Sequence, residues 1–72
     1  MSPRQTRPAG LSDREIDVLR LISLGRTNRE VGEQLFISPK TVGRHIENIY
    51  AKIGVSTRPG AALFAMQNRL LG

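Results

Sequence analysis

The fold is decided by residues 38–54, SPKTVGRHIENIYAKIG. Ser38 can accept a hydrogen bond from an unpaired amide at a helix start, and Pro39 suits the first helical position, where a missing N–H costs nothing. Gly54 is typical of a helix end. Between these ends, apolar residues recur at i, i+4, i+7 and i+11, which predicts a helix over 39–53 with one buried stripe. The stripe comprises Val42, Ile46, Ile49 and Ile53.

The opposite face of this predicted helix is small and polar. At about 100° per residue, its cations lie in the first two turns. A helix with a core-facing stripe and a hydrogen-bonding face near its N-terminus can enter a DNA major groove. The same pattern is also typical of an ordinary surface helix, so the rest of the chain must decide. The polar face comprises Lys40, Thr41, Gly43, Arg44, Glu47, Asn48 and Ala51.

Length and composition limit the class of protein. Seventy-two residues, 39% of them hydrophobic, allow one domain with one small core. No apolar run approaches the roughly 18 residues of a membrane span, and the N-terminus lacks the apolar segment of a secretory signal. The chain has no cysteine, which excludes disulfides and thiolate metal sites. We therefore expect a cytoplasmic, cofactor-free domain without a membrane partner.

The charge favours a nucleic-acid partner. Eleven Lys and Arg against six Asp and Glu give a formal charge of +5, and nine of the eleven cations are arginine. Arginine binds phosphate or guanine through two parallel hydrogen bonds, whereas lysine acts as a point charge. Small basic domains also include ribosomal, membrane-surface and purely structural proteins, so charge alone does not establish DNA binding.

Two capping boxes predict two helices before the central segment. Residues 12–15, SDRE, start a helix at Asp13 that Gly25 closes, and residues 27–30, TNRE, start another over about 28–35. The connection to the 38–54 segment is too short for a long antiparallel hairpin. It predicts a sharp corner, which is a helix-turn-helix.

Gly32 lies inside the second predicted helix. It costs about 1 kcal/mol of helix propensity relative to alanine. We therefore expect another helix to cross closely at this position.

The two ends of the chain differ in character. Residues 1–10, MSPRQTRPAG, have no periodicity and predict a disordered lead-in or linker, which leaves 11–72 as the folded domain. Thr57 offers a cap for a last helix that opens at Arg58. This helix is apolar around much of its circumference, so its large side chains either contact a second copy or a neighbouring domain, or complete the core. The candidate dimer contacts are Leu63, Met66 and Leu70.

Nothing in the sequence indicates catalysis. We find no nucleophile and base pair, phosphate-binding glycine loop or carboxylate dyad, and we predict that the protein is not an enzyme. His45 is the only histidine, and no cysteine or second histidine could share a metal with it. A role for His45 in packing or at a phosphate is favoured over a metal ligand or general base.

Several separated motifs agree with one known family. They are Leu11-Ser12 with Arg14-Glu15, Gly25 with Thr27-Asn28 and Glu30-Val31, Ser38 with Thr41-Val42, His45-Ile46, Asn48-Ile49, and Lys52-Ile53-Gly54-Val55 with Arg58. Together they resemble the C-terminal DNA-binding domain of LuxR-type regulators, the group of the NarL and FixJ response regulators, over residues 11 to about 65. The resemblance implies an all-α, four-helix domain in which helices 2 and 3 form the DNA-binding corner and helix 4 often provides a dimer contact.

The resemblance also implies which positions contact DNA. The base-contacting positions are Lys40, Gly43, Arg44 and Glu47. The phosphate-contacting positions are Thr41, Lys52 and Arg58, and we assign Asn28 to the same group. Relatives often have lysine at Gly43, and lysine or another polar residue at Glu47. Because glycine has no side chain for a base edge, and glutamate near phosphates is repelled unless it accepts a hydrogen bond from cytosine N4, Arg44 and Lys40 are the main candidates.

The predicted function is sequence-specific binding to double-stranded DNA, as the output domain of a bacterial transcriptional regulator. In relatives an upstream sensor domain usually precedes this domain, although some relatives consist of little else. A homodimer on DNA and contact with RNA polymerase are expected. The runner-up is the promoter-binding region of a sigma factor, which would bind core RNA polymerase. A helical protein-interaction module that uses the last helix is the alternative outside DNA binding. A membrane-surface helix is disfavoured because the cations lie opposite ordered caps and turns rather than along one long helix.

Overall fold

The computed structural model describes residues 8–71, which form four α-helices after a short 3₁₀ turn. The helices are α1 (Asp13–Ser23), α2 (Asn28–Leu35), α3 (Pro39–Ile53) and α4 (Arg58–Gln67). This all-α architecture confirms the predicted fold class. The lead-in predicted for residues 1–10 lies mostly outside the described residues, and its last three residues, Pro8–Gly10, form the short turn, in which Ala9 has left-handed dihedrals of φ 55° and ψ 20°.

Each helix begins at a side-chain cap. The Ser12 Oγ accepts a hydrogen bond from the Glu15 amide at 3.1 Å, and Glu15 Oε1 accepts one from the Ser12 amide at 2.8 Å. Thr27, Ser38 and Thr57 cap the other three helices in the same forward manner. All four helices begin directly after the predicted cap residues, which confirms the predicted helix starts.

The helices enclose one apolar core. Val18 and Leu19 of α1, Val31 of α2 and Ile49 of α3 have no exposed surface. The central stripe of α3 is buried as predicted, with Ile53 half-buried at its end. Burial of this stripe fixes which face of α3 points outward.

Helix α4 packs mainly against α1 through alanines. Ala61 and Ala65 have no exposed surface, whereas the side chains of Leu63 and Met66 are 53% and 64% exposed. The alternative in which the large residues complete the core is therefore wrong for Leu63 and Met66. Leu70 differs from them, because it is half-buried against the core.

The corner between α2 and α3 is a backbone turn at Phe36. Phe36 adopts left-handed dihedrals of φ 60° and ψ 42°, and it is 93% exposed. The Ile37 amide donates to the Gly32 carbonyl oxygen at 2.9 Å. A Cβ atom on Gly32 would lie only 2.5 Å from the Ile37 carbonyl oxygen. The close approach expected at Gly32 therefore exists, but the turn backbone makes it rather than a crossing helix.

Candidate nucleic-acid interface

The N-terminal half of α3 presents an uncovered polar face. Lys40, Arg44 and Glu47 are exposed, and no hydrogen bond or ion pair with another residue in 8–71 engages their side chains. Because the buried stripe holds the opposite face of α3 in the core, this face points away from the other helices. Its two cations are free to bind an external anion or a base edge.

An open concavity lies beside this face, where the starts of α2 and α4 approach α3. It brings together six of the eight residues predicted to contact DNA. Its lining comprises Asn28, Lys40, Gly43, Arg44, Ile46, Glu47 and Arg58. The predicted base-contacting positions and two of the predicted phosphate-contacting positions therefore form one surface.

Arg58 is held at the edge of the concavity by two neutral oxygens. Its Nη2 donates a hydrogen bond to the Asn28 Oδ1 at 2.6 Å, and its Nη1 donates to the backbone carbonyl of Arg26 at 3.4 Å. Both acceptors belong to the start of α2 or to the turn before it. Because neither acceptor carries a charge, Arg58 keeps its full positive charge for an anion.

Gly43 forms part of the floor of the concavity. It is half-buried, and a Cβ atom at this position would lie 3.7 Å from the Asn28 Nδ2. The Asn28 carboxamide therefore lies over the bare backbone of α3. A glycine here removes one potential base contact, and the Asn28 side chain of α2 lies against its backbone.

Thr41 lies at the first turn of α3 and is exposed. Its hydroxyl is 2.9 Å from the Ser38 Oγ, which also accepts a hydrogen bond from the Thr41 amide. The cap therefore orients the Thr41 hydroxyl. This position at the leading end of α3 is compatible with the predicted phosphate contact.

Lys52 is engaged elsewhere. Its Nζ donates to the Glu15 Oε1 at 2.7 Å and lies 3.4 Å from the Gly10 carbonyl oxygen. It does not line the concavity beside α3. The structure therefore separates Lys52 from the other predicted DNA-contacting residues and places it in a contact between α3 and α1.

The carboxylate nearest the start of α2 is used by its cap. Glu30 Oε1 accepts a hydrogen bond from the Thr27 amide at 2.9 Å. Hydrogen bonds from the Thr27 backbone and side chain hold the pKa of Glu30 below its ordinary value. Glu30 therefore stays ionised at neutral pH and completes the capping box.

Residues 8–71 give no support for a metal site or for a membrane-spanning helix. No group of three or more potential metal-ligating side chains is found there, and His45 is half-buried on α3. No helix in this range is long and apolar enough to cross a membrane.

Sequence reasoning missed the long-range polar contacts of Arg58 and Lys52, including the two that join pairs of side chains. Arg58 and Asn28 are separated by 30 positions, and Lys52 and Glu15 by 37. Helix periodicity and capping patterns act over three or four residues, so they give no signal for such pairs. The role of the Arg26 carbonyl was missed for the same reason.

Comparisons with known proteins agree with this geometry. A sequence model described as "Bacterial regulatory proteins, luxR family" matches residues 9–65. The chain is 51% identical over 61 residues to the transcriptional regulatory protein LiaR of Bacillus subtilis (strain 168), which covers 85% of this chain and 29% of LiaR.

Two solved structures are also similar. The transcription factor GerE superimposes with a TM-score of 0.79 at 35% identity, over 92% of this chain and 97% of GerE. The response regulator ChrA of a heme-sensing two-component system superimposes with a TM-score of 0.78 at 41% identity, over 92% of this chain and 33% of ChrA. The chain thus spans about a third of the length of LiaR and of ChrA but nearly all of GerE.

Proposed function

The chain belongs to the luxR family of bacterial regulatory proteins, and from this premise we propose that it binds a specific duplex DNA sequence through α3 as the output domain of a transcriptional regulator. The observation that carries the proposal is the uncovered, unpaired pair of cations, Lys40 and Arg44, on the outer face of α3. In a helix-turn-helix, the second helix enters the major groove with its N-terminal residues toward the bases. Both cations lie in that half of α3.

Arg44 and Lys40 supply the base contacts in this proposal. Arginine binds the O6 and N7 atoms of guanine through two hydrogen bonds, so guanine is the expected target of Arg44. Glu47 accepts a hydrogen bond from the N4 amino group of cytosine when that base lies opposite it. Gly43 contributes no side chain, so no base contact is assigned to it.

Phosphate contacts set the register of α3 on the duplex. Arg58 and Thr41 lie around the leading end of α3 and provide these contacts, and the predicted phosphate position Asn28 lies beside them, hydrogen-bonded to Arg58. The helix α2 also begins there, and its positive dipole end favours an anion. For Lys52, the ion pair with Glu15 supports a structural role, and contact with a phosphate would require that pair to break.

The exposed face of α4 supports a homodimer on DNA. Leu63 and Met66 are large apolar side chains without partners in the described core, and Leu70 lies at the margin of the same helix end. One small module buries little DNA surface, so two copies on related half-sites would bind more tightly and more selectively.

At the level of the whole protein, we propose an upstream sensor domain and a cytoplasmic location with access to the chromosome. The chain matches only part of LiaR and of ChrA, and ChrA is a response regulator in a heme-sensing two-component system. Contact with RNA polymerase at a promoter completes the proposal. The domain itself acts by binding, without an enzymatic step.

The deciding experiment is selection of bound sequences from a random duplex pool, followed by a salt titration of the selected duplex. We expect one enriched motif with half-sites and a steep loss of affinity with salt, because phosphate contacts release counterions. Binding that requires core RNA polymerase would favour the sigma-factor alternative. No retention of any duplex at low salt would contradict DNA binding and favour a protein-interaction module.

A further inference from the structure

We propose that Asn28 is a positioning residue that orients Arg58 for a DNA phosphate, in the space that Gly43 leaves open. The inference rests on the proposed DNA-binding function and concerns how one of its phosphate contacts is built. In this proposal Asn28 does not bind a phosphate itself. It orients the Arg58 side chain, which does.

The geometry of the pair carries the argument. At 2.6 Å, the hydrogen bond from Arg58 Nη2 to Asn28 Oδ1 joins the first residue of α4 to the first residue of α2. Helix α4 packs on α1 and, less extensively, on α3, but it has no comparable packing with α2 in residues 8–71. This side-chain link therefore connects two helix starts that do not pack extensively on each other.

The chemistry of the two acceptors suits a phosphate-binding arginine. A guanidinium has five N–H donors, and Arg58 uses only two groups, Nη1 and Nη2, toward neutral oxygens. The remaining donors and the whole positive charge are available to an anion. Lys52 shows the opposite arrangement, because its partner is the Glu15 carboxylate, which cancels its charge.

Orientation before binding improves affinity. A long arginine side chain loses rotamer freedom when it meets a phosphate, and that loss lowers the net gain from the contact. Here Asn28 and the Arg26 carbonyl already restrict Arg58 in the free protein. The Arg58 side chain therefore loses its rotamer freedom when the protein folds, not when it binds DNA.

Gly43 lies directly beneath this arrangement. The Asn28 carboxamide lies over its backbone, with Nδ2 at 3.7 Å from the position of a Cβ atom. A methyl group would fit at that distance, and Gly43 lines the same concavity as Asn28 and Arg58. Position 43 itself supplies no cation to the concavity, and Arg58 of α4 supplies one beside Asn28.

A double-mutant cycle on the selected duplex tests the proposal, with affinity measured over a range of salt concentrations. Arg58→Ala should lower the salt slope by about 1, as expected for one lost phosphate contact. Asn28→Ala should weaken binding in the wild-type background. In the Arg58→Ala background, the same substitution should change affinity by less than about twofold, which is the usual error of additivity.

Asn48→Ala is the matched control. Asn48 is an exposed asparagine on the polar face of α3 that does not line the concavity. Any effect of its substitution should be the same with Arg58 present or absent. As a second measurement, ¹⁵N relaxation of the Arg58 Nε in the free wild-type protein should show an ordered side chain.

The outcomes are distinct. Equal losses from Asn28→Ala in both backgrounds would mean that Asn28 contacts DNA directly and would overturn the positioning role. Unchanged affinity in Asn28→Ala, or a freely moving Arg58 in the wild type, would also overturn it while leaving DNA binding intact. Failure of the wild-type protein to bind any duplex would overturn the proposed function and this inference together.

Discussion

Lys52 Nζ donates a 2.7 Å hydrogen bond to Glu15 Oε1, which joins the last turn of α3 to the first turn of α1. The Glu15 side chain is only 6% exposed, whereas that of Lys52 is 41% exposed. The same carboxylate oxygen accepts the Ser12 amide and completes the cap of α1. One buried carboxylate therefore fixes a helix start and the orientation of α3.

Removing Lys52 should destabilise the fold. Lys52→Met leaves the buried Glu15 carboxylate without its charged partner, and we expect a loss of about 1 to 3 kcal/mol in the free energy of unfolding. Urea denaturation of the wild type and the variant measures this loss of unfolding free energy. The control is Glu33→Ala, which breaks the exposed Arg29–Glu33 pair at 3.9 Å and should cost under about 0.5 kcal/mol. Equal losses in the two variants would contradict the structural role of Lys52.

Stability should fall in acid through Glu15. Burial raises the pKa of Glu15, but the hydrogen bonds from Lys52 and Ser12 and the attraction to Lys52 outweigh it, so the pKa lies below its ordinary value of 4.5. The unfolded chain then binds the proton more readily than the folded one. The stabilisation is complete above about pH 4.5 and is lost as the pH falls through the lower folded-state pKa.

Glu15→Gln isolates this contribution. Glu30 also has a lowered pKa and adds acid sensitivity of the same sign to both proteins. The difference in unfolding free energy between wild type and Glu15→Gln should therefore be largest near neutral pH and shrink in acid. A difference that stayed constant from pH 7 to pH 3, within about 0.3 kcal/mol, would show that Glu15 ionisation does not contribute.

Two glycines should respond to alanine in opposite directions. In Gly32→Ala the new Cβ would lie 2.5 Å from the Ile37 carbonyl oxygen, so the turn must shift, at a cost of about 1 to 3 kcal/mol. In Gly43→Ala the nearest atom would be 3.7 Å away, and helix propensity should add about 0.5 to 1 kcal/mol of stability. Thermal or urea unfolding of the free proteins checks both. Similar changes in the two variants would refute the assigned close approach at Gly32.

Local rules explain why the helix starts and the buried stripe of α3 were predictable. A cap acts over three residues and a stripe follows the period of one helix, so residues such as Ser38 and Ile49 reveal their roles without the rest of the fold. The outward face of α3 then follows by elimination. The same reasoning gave Lys40 and Arg44 as exposed residues, and the structure places them so.

Properties that depend on packing between helices were not predictable in this way. Ala65 is buried and Met66 is exposed because α4 approaches α1 through its small residues, whereas hydrophobicity alone favours the reverse. Lys52 was assigned to phosphate by its position in a motif, yet its reach toward Glu15 depends on how α1 crosses α3. The left-handed turn at Phe36 carries no glycine or asparagine to mark it.

Arg44 should carry sequence selectivity. Arg44→Ala removes an exposed guanidinium that has no partner within residues 8–71, so folding stability should be unchanged. Binding to the selected duplex should weaken by about 1 to 3 kcal/mol, and preference should relax at one base position. Affinities for duplexes with each base in turn at that position measure the effect. A variant that retained the wild-type order of preference at every position would show that Arg44 does not contact a base.

The exposed apolar face of α4 should determine the number of copies on DNA. Because Leu63 and Met66 are 53% and 64% exposed, replacing both with serine should leave the fold intact while removing the surface that a second copy would cover. On a duplex with two half-sites, we expect affinity to fall by about 100-fold as the two-copy complex gives way to single copies. Native mass spectrometry and titration of one-site and two-site duplexes measure copy number and affinity.

Leu24→Ser is the matched control, because Leu24 is 59% exposed at the end of α1 and its replacement should not change the number of copies on DNA. A cooperative two-copy complex that survived the double substitution would place the dimer contact on another surface.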